Sequence, residues 1–271
     1  MTDANTLLKI SGLKKQYSTK EVLKGINLEI KEGEFVVVMG PSGAGKSTFV
    51  RCINRMVNPT EGSVEFLDVD VTRLKGKVLR KVRTNVGMIF QHYNLIGRTN
   101  VIKNVLHGRL GHHSFLKTLI GAYSEKEKRE AFNLLQKVGL GEYIYKKANT
   151  LSGGQMQRVG ICRAMMQAPK LLLADEPIAS LDPTSAKIIM DQIHDLVTER
   201  KIACIMNLHQ IQFAKDYATR IIGIKEGRVV YDGTPTDLTE EIVADIYEGK
   251  MEEVVEFKSD SLVVGELIYG T

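Results

Sequence analysis

The sequence predicts an α/β fold in which a buried sheet carries one helical insertion, and three observations lead there. A wholly apolar run, Phe35-Val36-Val37-Val38-Met39, passes straight into the glycine-rich stretch Gly40 to Gly45 and then into a helical segment. Short apolar runs recur at Leu171 to Ala174, Ile202 to Met206 and Ile221 to Ile224, separated by helical segments, as expected of strands buried on both faces. Between these regions the apolar spacing is helical.

Taken in chain order, Leu7 to Ile10 and Val22 to Ile30 carry alternating apolar positions as strands do, and the turn Lys31-Glu32-Gly33-Glu34 leads to the run at Phe35. The helix after the glycine loop is expected over about Lys46 to Met56. Ser124 with Glu127 forms a capping box, after which Ala131, Leu134, Leu135 and Val138 keep helical spacing until Gly139 and Gly141 stop it. From about Lys250 the pattern changes to Val254-Val255-Glu256-Phe257, a polar break, and Leu262-Val263-Val264-Gly265, which adds a strand or packs on a partner. The simplest organisation is one unit over 1–249 with a helical insertion at about 92–168, followed by an extension at 250–271 to which no role is assigned.

Composition narrows the class. In 271 residues, 43% are hydrophobic and 25% charged, ordinary for a globular chain with one or two cores, which excludes overall disorder. No stretch approaches the roughly 18 consecutive apolar residues of a membrane-spanning helix. The N-terminal Met-Thr-Asp-Ala-Asn lacks the features of a secretory signal, so the chain is expected to stay where it is made. Cys52, Cys162 and Cys204 are odd in number, far apart and set among apolar residues, which reads as reduced packing thiols. A net charge of +5 without a basic arm reads as a solvated mixed-charge surface, and no nucleic-acid partner is expected.

Three motifs carry chemistry. Gly40-Pro41-Ser42-Gly43-Ala44-Gly45-Lys46-Ser47 is a full phosphate loop in its strand-to-helix context, continued by Thr48. Glycines let successive backbone N–H groups face phosphate oxygens, and the following helix adds its positive end. Lys46 is then placed to offset β- and γ-phosphate charge and Ser47 to offer a hydroxyl to Mg²⁺. The run Leu171-Leu172-Leu173-Ala174 ends in Asp175 and Glu176, a pair suited to holding the metal and polarising water, respectively. Leu151-Ser152-Gly153-Gly154-Gln155 opens a helix with small residues and a hydroxyl, a second anion-facing N-terminus.

With these residues in place, the chain from about Leu7 to Ile246 resembles the ATP-binding-cassette family of transporter ATPases. The resemblance implies a P-loop NTPase core with a mixed sheet, an N-terminal antiparallel β subdomain and an inserted α-helical subdomain. It further implies a head-to-tail dimer in which Ser152, Gly153, Gly154 and Gln155 of one copy contact ATP held by the phosphate loop of the other. By the same resemblance Tyr17 stacks on adenine, Gln91 senses Mg²⁺ and the attacking water, Asp182 lies on the loop crossing the dimer interface, and His209 contacts the γ-phosphate. Transmembrane permease subunits are the implied partners, with an extracytoplasmic solute-binding protein engaged indirectly, and the implied place is the cytoplasmic face of the inner membrane.

Local wording is more specific. Where many members read Thr-His-Asp, this chain reads Asn207-Leu208-His209-Gln210, and it also contains Gly108-Arg109-Leu110-Gly111 and Ala179-Ser180-Leu181-Asp182. All three are similar to the ATP-binding subunits of phosphonate importers, so the expected cargo is phosphonate or a related phosphorus oxyanion. The competing expectation is a non-transport cassette ATPase acting on nucleic acid or the ribosome, although the second cassette, coiled coil, zinc module or basic linker usual in such relatives is not seen. A small-molecule kinase would leave Leu151 to Gln155 and the acid pair without a purpose.

Overall fold

A computed structural model describes residues 5–114 and 121–247. The chain opens with two long strands, β1 (Thr6–Tyr17) and β2 (Lys20–Lys31), followed by β3 (Phe35–Met39), α1 (Lys46–Ile53), β4 (Glu61–Phe66) and β5 (Val69–Asp70). Next come α2 (Gly76–Arg83), β6 (Val86–Ile89), α3 (Val101–Leu106), α4 (Glu125–Lys137), α5 (Gly153–Met166) and β7 (Leu171–Asp175). The chain continues through α6 (Pro183–Glu199), β8 (Ala203–Asn207), α7 (Ile211–Tyr217), β9 (Arg220–Lys225), β10 (Arg228–Gly233) and α8 (Glu240–Tyr247). The strand considered between Val254 and Gly265 lies outside the described residues.

These strands form two sheets. One is antiparallel, in the order β2-β1-β4-β5. The other runs β10-β9-β3-β8-β7-β6, parallel from β9 through β6 and antiparallel between β9 and β10, so it is mixed.

Every residue of β3, β7 and β8 is buried, and the two-residue period of a strand sends alternate side chains into two different cores. Phe35, Val37, Leu172, Ala174, Cys204 and Met206 face α4, α5 and α6, whereas Val36, Val38, Leu171, Leu173, Ala203 and Ile205 face α1 and the antiparallel sheet. Complete burial of the Val, Leu, Ile, Phe or Met side chains among them contributes about 1.5–3 kcal/mol each. Exposed pairs such as Lys9–Glu29 or Lys137–Glu199 contribute roughly 0–1 kcal/mol each, so packing decides the fold.

Local signals act as their chemistry requires. Ser124 Oγ accepts from Glu127 N–H at 3.3 Å and the Glu127 carboxylate accepts from Ser124 N–H at 2.8 Å, so the capping box that starts α4 is complete. The helix gives way at Gly139, whose φ of +72° is the left-handed turn that glycine tolerates. Two boundaries differ clearly from expectation: β1 runs on past Ile10 to Tyr17, and α1 ends at Ile53, three residues before Met56. Arg55 takes a φ of 54°, its N–H bonds to Cys52 O, and the N–H of Val57 bonds back to Arg51 O, closing the helix early. The strands β4 and β5 and the edge strands β6 and β10 are additions to the sequence reading.

Cys52, Cys162 and Cys204 are free and buried. Burial pushes the Cys52 thiol up to about 11 and the other two higher still, which disfavours the thiolate that redox or metal chemistry needs. Among the described residues, no helix is long and apolar enough to cross a membrane.

Candidate active site

Strands buried on both faces can place polar groups only where they end. The parallel strands end on one edge, where β3 delivers the glycine loop, β7 delivers Asp175 and Glu176, β8 delivers Asn207 and then His209, and β6 leads to Gln91. Register makes these neighbours: Val38 and Asp175 both lie beside Asn207, and Ile89 lies beside Ala174.

The loop after β3 is a cradle that a side chain would fill. A Cβ on Gly40 would sit 2.0 Å from Ile224 O, and one on Gly45 would sit 2.9 Å from Val22 O, with φ values of +144° and +108°. Gly45 is the N-cap of α1 and makes no side-chain cap, so the first N–H groups of the helix remain for an anion. Lys46 is only 5% exposed, and its Nζ donates to Gly40 O at 2.6 Å and Pro41 O at 3.0 Å, folding the ammonium over the loop.

Asp175 is 2% exposed and must have its charge balanced. Arg51 Nη2 donates to its Oδ2 at 3.1 Å and Asn207 Nδ2 donates to its Oδ1 at 2.9 Å. Ser47 stands one helical turn before Arg51, so the face of α1 that reaches Asp175 also carries the Ser47 hydroxyl. A hydroxyl beside a buried carboxylate is the hard oxygen set that Mg²⁺ takes, and these residues fit that ion.

Glu176 turns the other way. Its φ of 51° lies in the left-handed region, a conformation costing on the order of 1–3 kcal/mol for a residue with a side chain. That turn brings its Oε1 within 2.9 Å of His209 Nε2, which donates in the tautomer that pairs with a carboxylate. The His209 hydrogen bond holds the Glu176 carboxyl below the usual glutamate value, with electrostatic help from His209, Lys46 and Arg51 against the opposing effect of burial. Glu176 is therefore ionised at neutral pH, as a proton acceptor needs to be.

The remaining expected residues occupy the rim or other elements. Gln91, two residues beyond β6, is exposed. Tyr17 closes β1, is 46% exposed and has the Lys15 ammonium 4.7 Å from its ring centroid, leaving a face for stacking. Asp182 caps α6 by accepting from Ser185 N–H at 2.9 Å, and hydrogen bonding from the Ser185 side chain, followed by its backbone N–H, lowers the carboxyl from its ordinary value. Ser152 caps α5: its Oγ accepts from Gln155 N–H at 3.3 Å while Gln155 Oε1 accepts from Ser152 N–H at 2.9 Å. Gln155 thus spends its side chain on the cap. Gly153 packs under Tyr93, where a Cβ would lie 2.8 Å from the phenol oxygen, whereas Gly154 faces open space. Lys46, Asp175, Glu176 and His209 are gathered at the sheet edge, while Ser152 to Gln155 belong to a helix packed on α3, α4, α6 and β6.

Arg51 and Asn207 are site residues that the motifs alone do not assign. Arg51 has a sequence signal, being four residues after Ser47 on one helical face, and Asn207 is the polar residue ending an otherwise apolar run.

A family model described as ABC transporter matches residues 23–179. The chain is 53% identical over 259 residues, 95% of its length and 99% of the relative's, to phosphonates import ATP-binding protein PhnC 2 of Oceanobacillus iheyensis. It is 49% identical to phosphonates import ATP-binding protein PhnC of Treponema denticola, covering 88% of this chain and 93% of that one. Among solved structures it resembles the ATP-binding cassette MJ0796, seen as a dimer in a post-hydrolysis state bound to ADP and Pi, with a TM-score of 0.74 and 35% identity over 84% of this chain and 99% of that one.

The cradle generates a first test. Gly40→Ala forces a methyl against Ile224 O and is expected to lower unfolding free energy by about 1–3 kcal/mol in urea titrations. An unchanged midpoint would mean that the loop has room the close approach denies.

Proposed function

The chain belongs to the ABC transporter family of ATP-hydrolysing cassettes, and from that membership we propose that it energises an importer of phosphonate or a related phosphorus oxyanion. The observation that carries the hydrolytic reading is the convergence of Lys46, Asp175, Glu176 and His209 on the edge that holds the phosphate cradle. The cargo reading draws on the named relatives and on the wording around His209.

Backbone N–H groups of the loop and of the first turn of α1 take the phosphate oxygens, and Lys46 adds its charge next to the carbonyls it already touches. Tyr17 stacks on the adenine ring. Ser47, Gln91 and Asp175 would hold Mg²⁺, which when bound would offset charge on the β- and γ-phosphate oxygens. Glu176 orients a water and takes its proton as the water oxygen bonds to the γ-phosphorus and the bond to the ADP oxygen breaks. His209 holds Glu176 ionised and aimed, and approaches the γ-phosphate beside it.

Ser152, Gly153 and Gly154 act on the nucleotide of a second, head-to-tail copy, through the N-terminus of α5 rather than through the Gln155 side chain, while Asp182 lies at the crossing between copies. Closure of the pair on ATP and its release after hydrolysis drive permease subunits in the membrane, to whose cytoplasmic face this subunit attaches. A solute-binding protein outside the membrane selects the cargo.

Glu176→Gln is expected to slow turnover by about 10² to 10⁴ while leaving ATP binding intact, and unchanged turnover removes Glu176 from this role. A mixed dimer of one Ser152→Arg chain with one Lys46→Ala chain retains one intact composite site and should hydrolyse ATP faster than either mutant homodimer. Activity no higher than theirs contradicts action in trans. Reconstituted with its permease, the wild-type chain should hydrolyse ATP faster when the solute receptor is loaded with a phosphonate; stimulation by an unrelated solute instead reassigns the cargo.

A further inference from the structure

Asn207 ends β8 between the strand of the phosphate loop and the strand of the acid pair, with Val38 on one side and Asp175 on the other. It shares the parity of Ala203 and Ile205, which face α1, and Asp175 shares that of Leu171 and Leu173, which face α1 as well. Both polar side chains therefore project toward the helix that carries Lys46, Ser47 and Arg51.

Asn207 has no exposed surface. Its amide orientation is dictated, because a carboxylate only accepts and the NH₂ group must point to Asp175 Oδ1, 2.9 Å away. The carbonyl oxygen then points elsewhere, and among the described residues nothing donates to this buried acceptor. Such an atom carries an uncompensated desolvation penalty unless a donor arrives. An apolar residue would fit the rest of β8, so the amide answers to the site and not to the core.

We propose that Asn207 is a positioning residue for the metal: its amide holds Asp175 in place, and its spare oxygen accepts from a water of the magnesium hydration shell. This inference rests on the reading of Asp175 as a metal-holding group. Mg²⁺ dehydrates reluctantly and keeps several waters, each with protons to donate, so a buried acceptor beside Asp175 meets a need of that ion. Arg51 holds the other carboxylate oxygen, leaving Asn207 to govern orientation while Arg51 governs charge.

The test titrates Mn²⁺ into the full-length protein with ADP present, reading bound metal by electron paramagnetic resonance in the absence of turnover. Asn207→Ala and the closer-sized Asn207→Leu should each weaken Mn²⁺ binding by about 10–100-fold, the usual effect of removing a group that orients a metal ligand. Asn207→Thr, which keeps a hydroxyl donor, should recover part of the loss. Asp175→Asn serves as the reference. If it weakens Mn²⁺ binding while Asn207→Leu binds like wild type, Asn207 is merely structural and the proposal falls alone. If Asp175→Asn also binds like wild type, the assignment of Asp175 fails and the proposal with it. A purely structural amide would lower the metal-free melting temperature of Asn207→Leu without touching Mn²⁺ affinity.

Discussion

A strand buried on both faces has no room for a polar side chain along its length, and that constraint organises this molecule. In β3, β7 and β8 the side chains are apolar up to the last residue, so every charged or hydrogen-bonding group these strands contribute is displaced to their carboxyl ends. Because β3, β7 and β8 run parallel and adjacent, those ends coincide, and the pairing of Asp175 with Asn207 and of Asn207 with Val38 then determines which group meets which. The phosphate cradle and the acid pair are far apart in sequence and adjacent in space for that reason alone.

Consecutive acids at one strand end would repel if they shared an environment. The chain separates them by direction and by partner. Asp175 completes the strand, lies toward α1 and is answered by Arg51 and Asn207, whereas Glu176 leaves through a left-handed turn and is answered by His209. The strain of that turn is small beside the cost of two like charges sharing a desolvated pocket. The outcome is a pair with divided roles, one carboxylate held rigidly in the interior and one kept ionised near solvent.

Much of this was legible from residues alone, for identifiable reasons. The run Phe35 to Met39, the cradle after it and the capping box at Ser124 are governed by local rules of burial, glycine geometry and capping, which operate over a few residues and leave their mark in sequence. The early stop of α1 was less legible, because Arg55 carries no intrinsic preference for the left-handed conformation that it adopts. The short strands β4, β6 and β10 gain their pairing from neighbours rather than from their own pattern. Asn207 was visible as a residue but not as a partner of Asp175, since that relation exists only through the register of two strands separated by α6.

The same logic bears on why one copy is an incomplete machine under the proposed mechanism. Helix N-termini attract anions through unsatisfied N–H groups, and α1 offers one set to the phosphates from below. The start of α5 offers another, with small residues at its first two positions and its cap already closed by Ser152 and Gln155. Yet α5 is anchored to α3, α4, α6 and β6 while α1 packs on β2, β7 and β8, so its orientation is set by a different body of packing. Two such termini converging on one γ-phosphate attract it more strongly than either alone, and the attraction lasts only while that phosphate is bound. An interface built in this way closes on ATP and loosens once phosphate leaves, which is the property a coupling subunit requires.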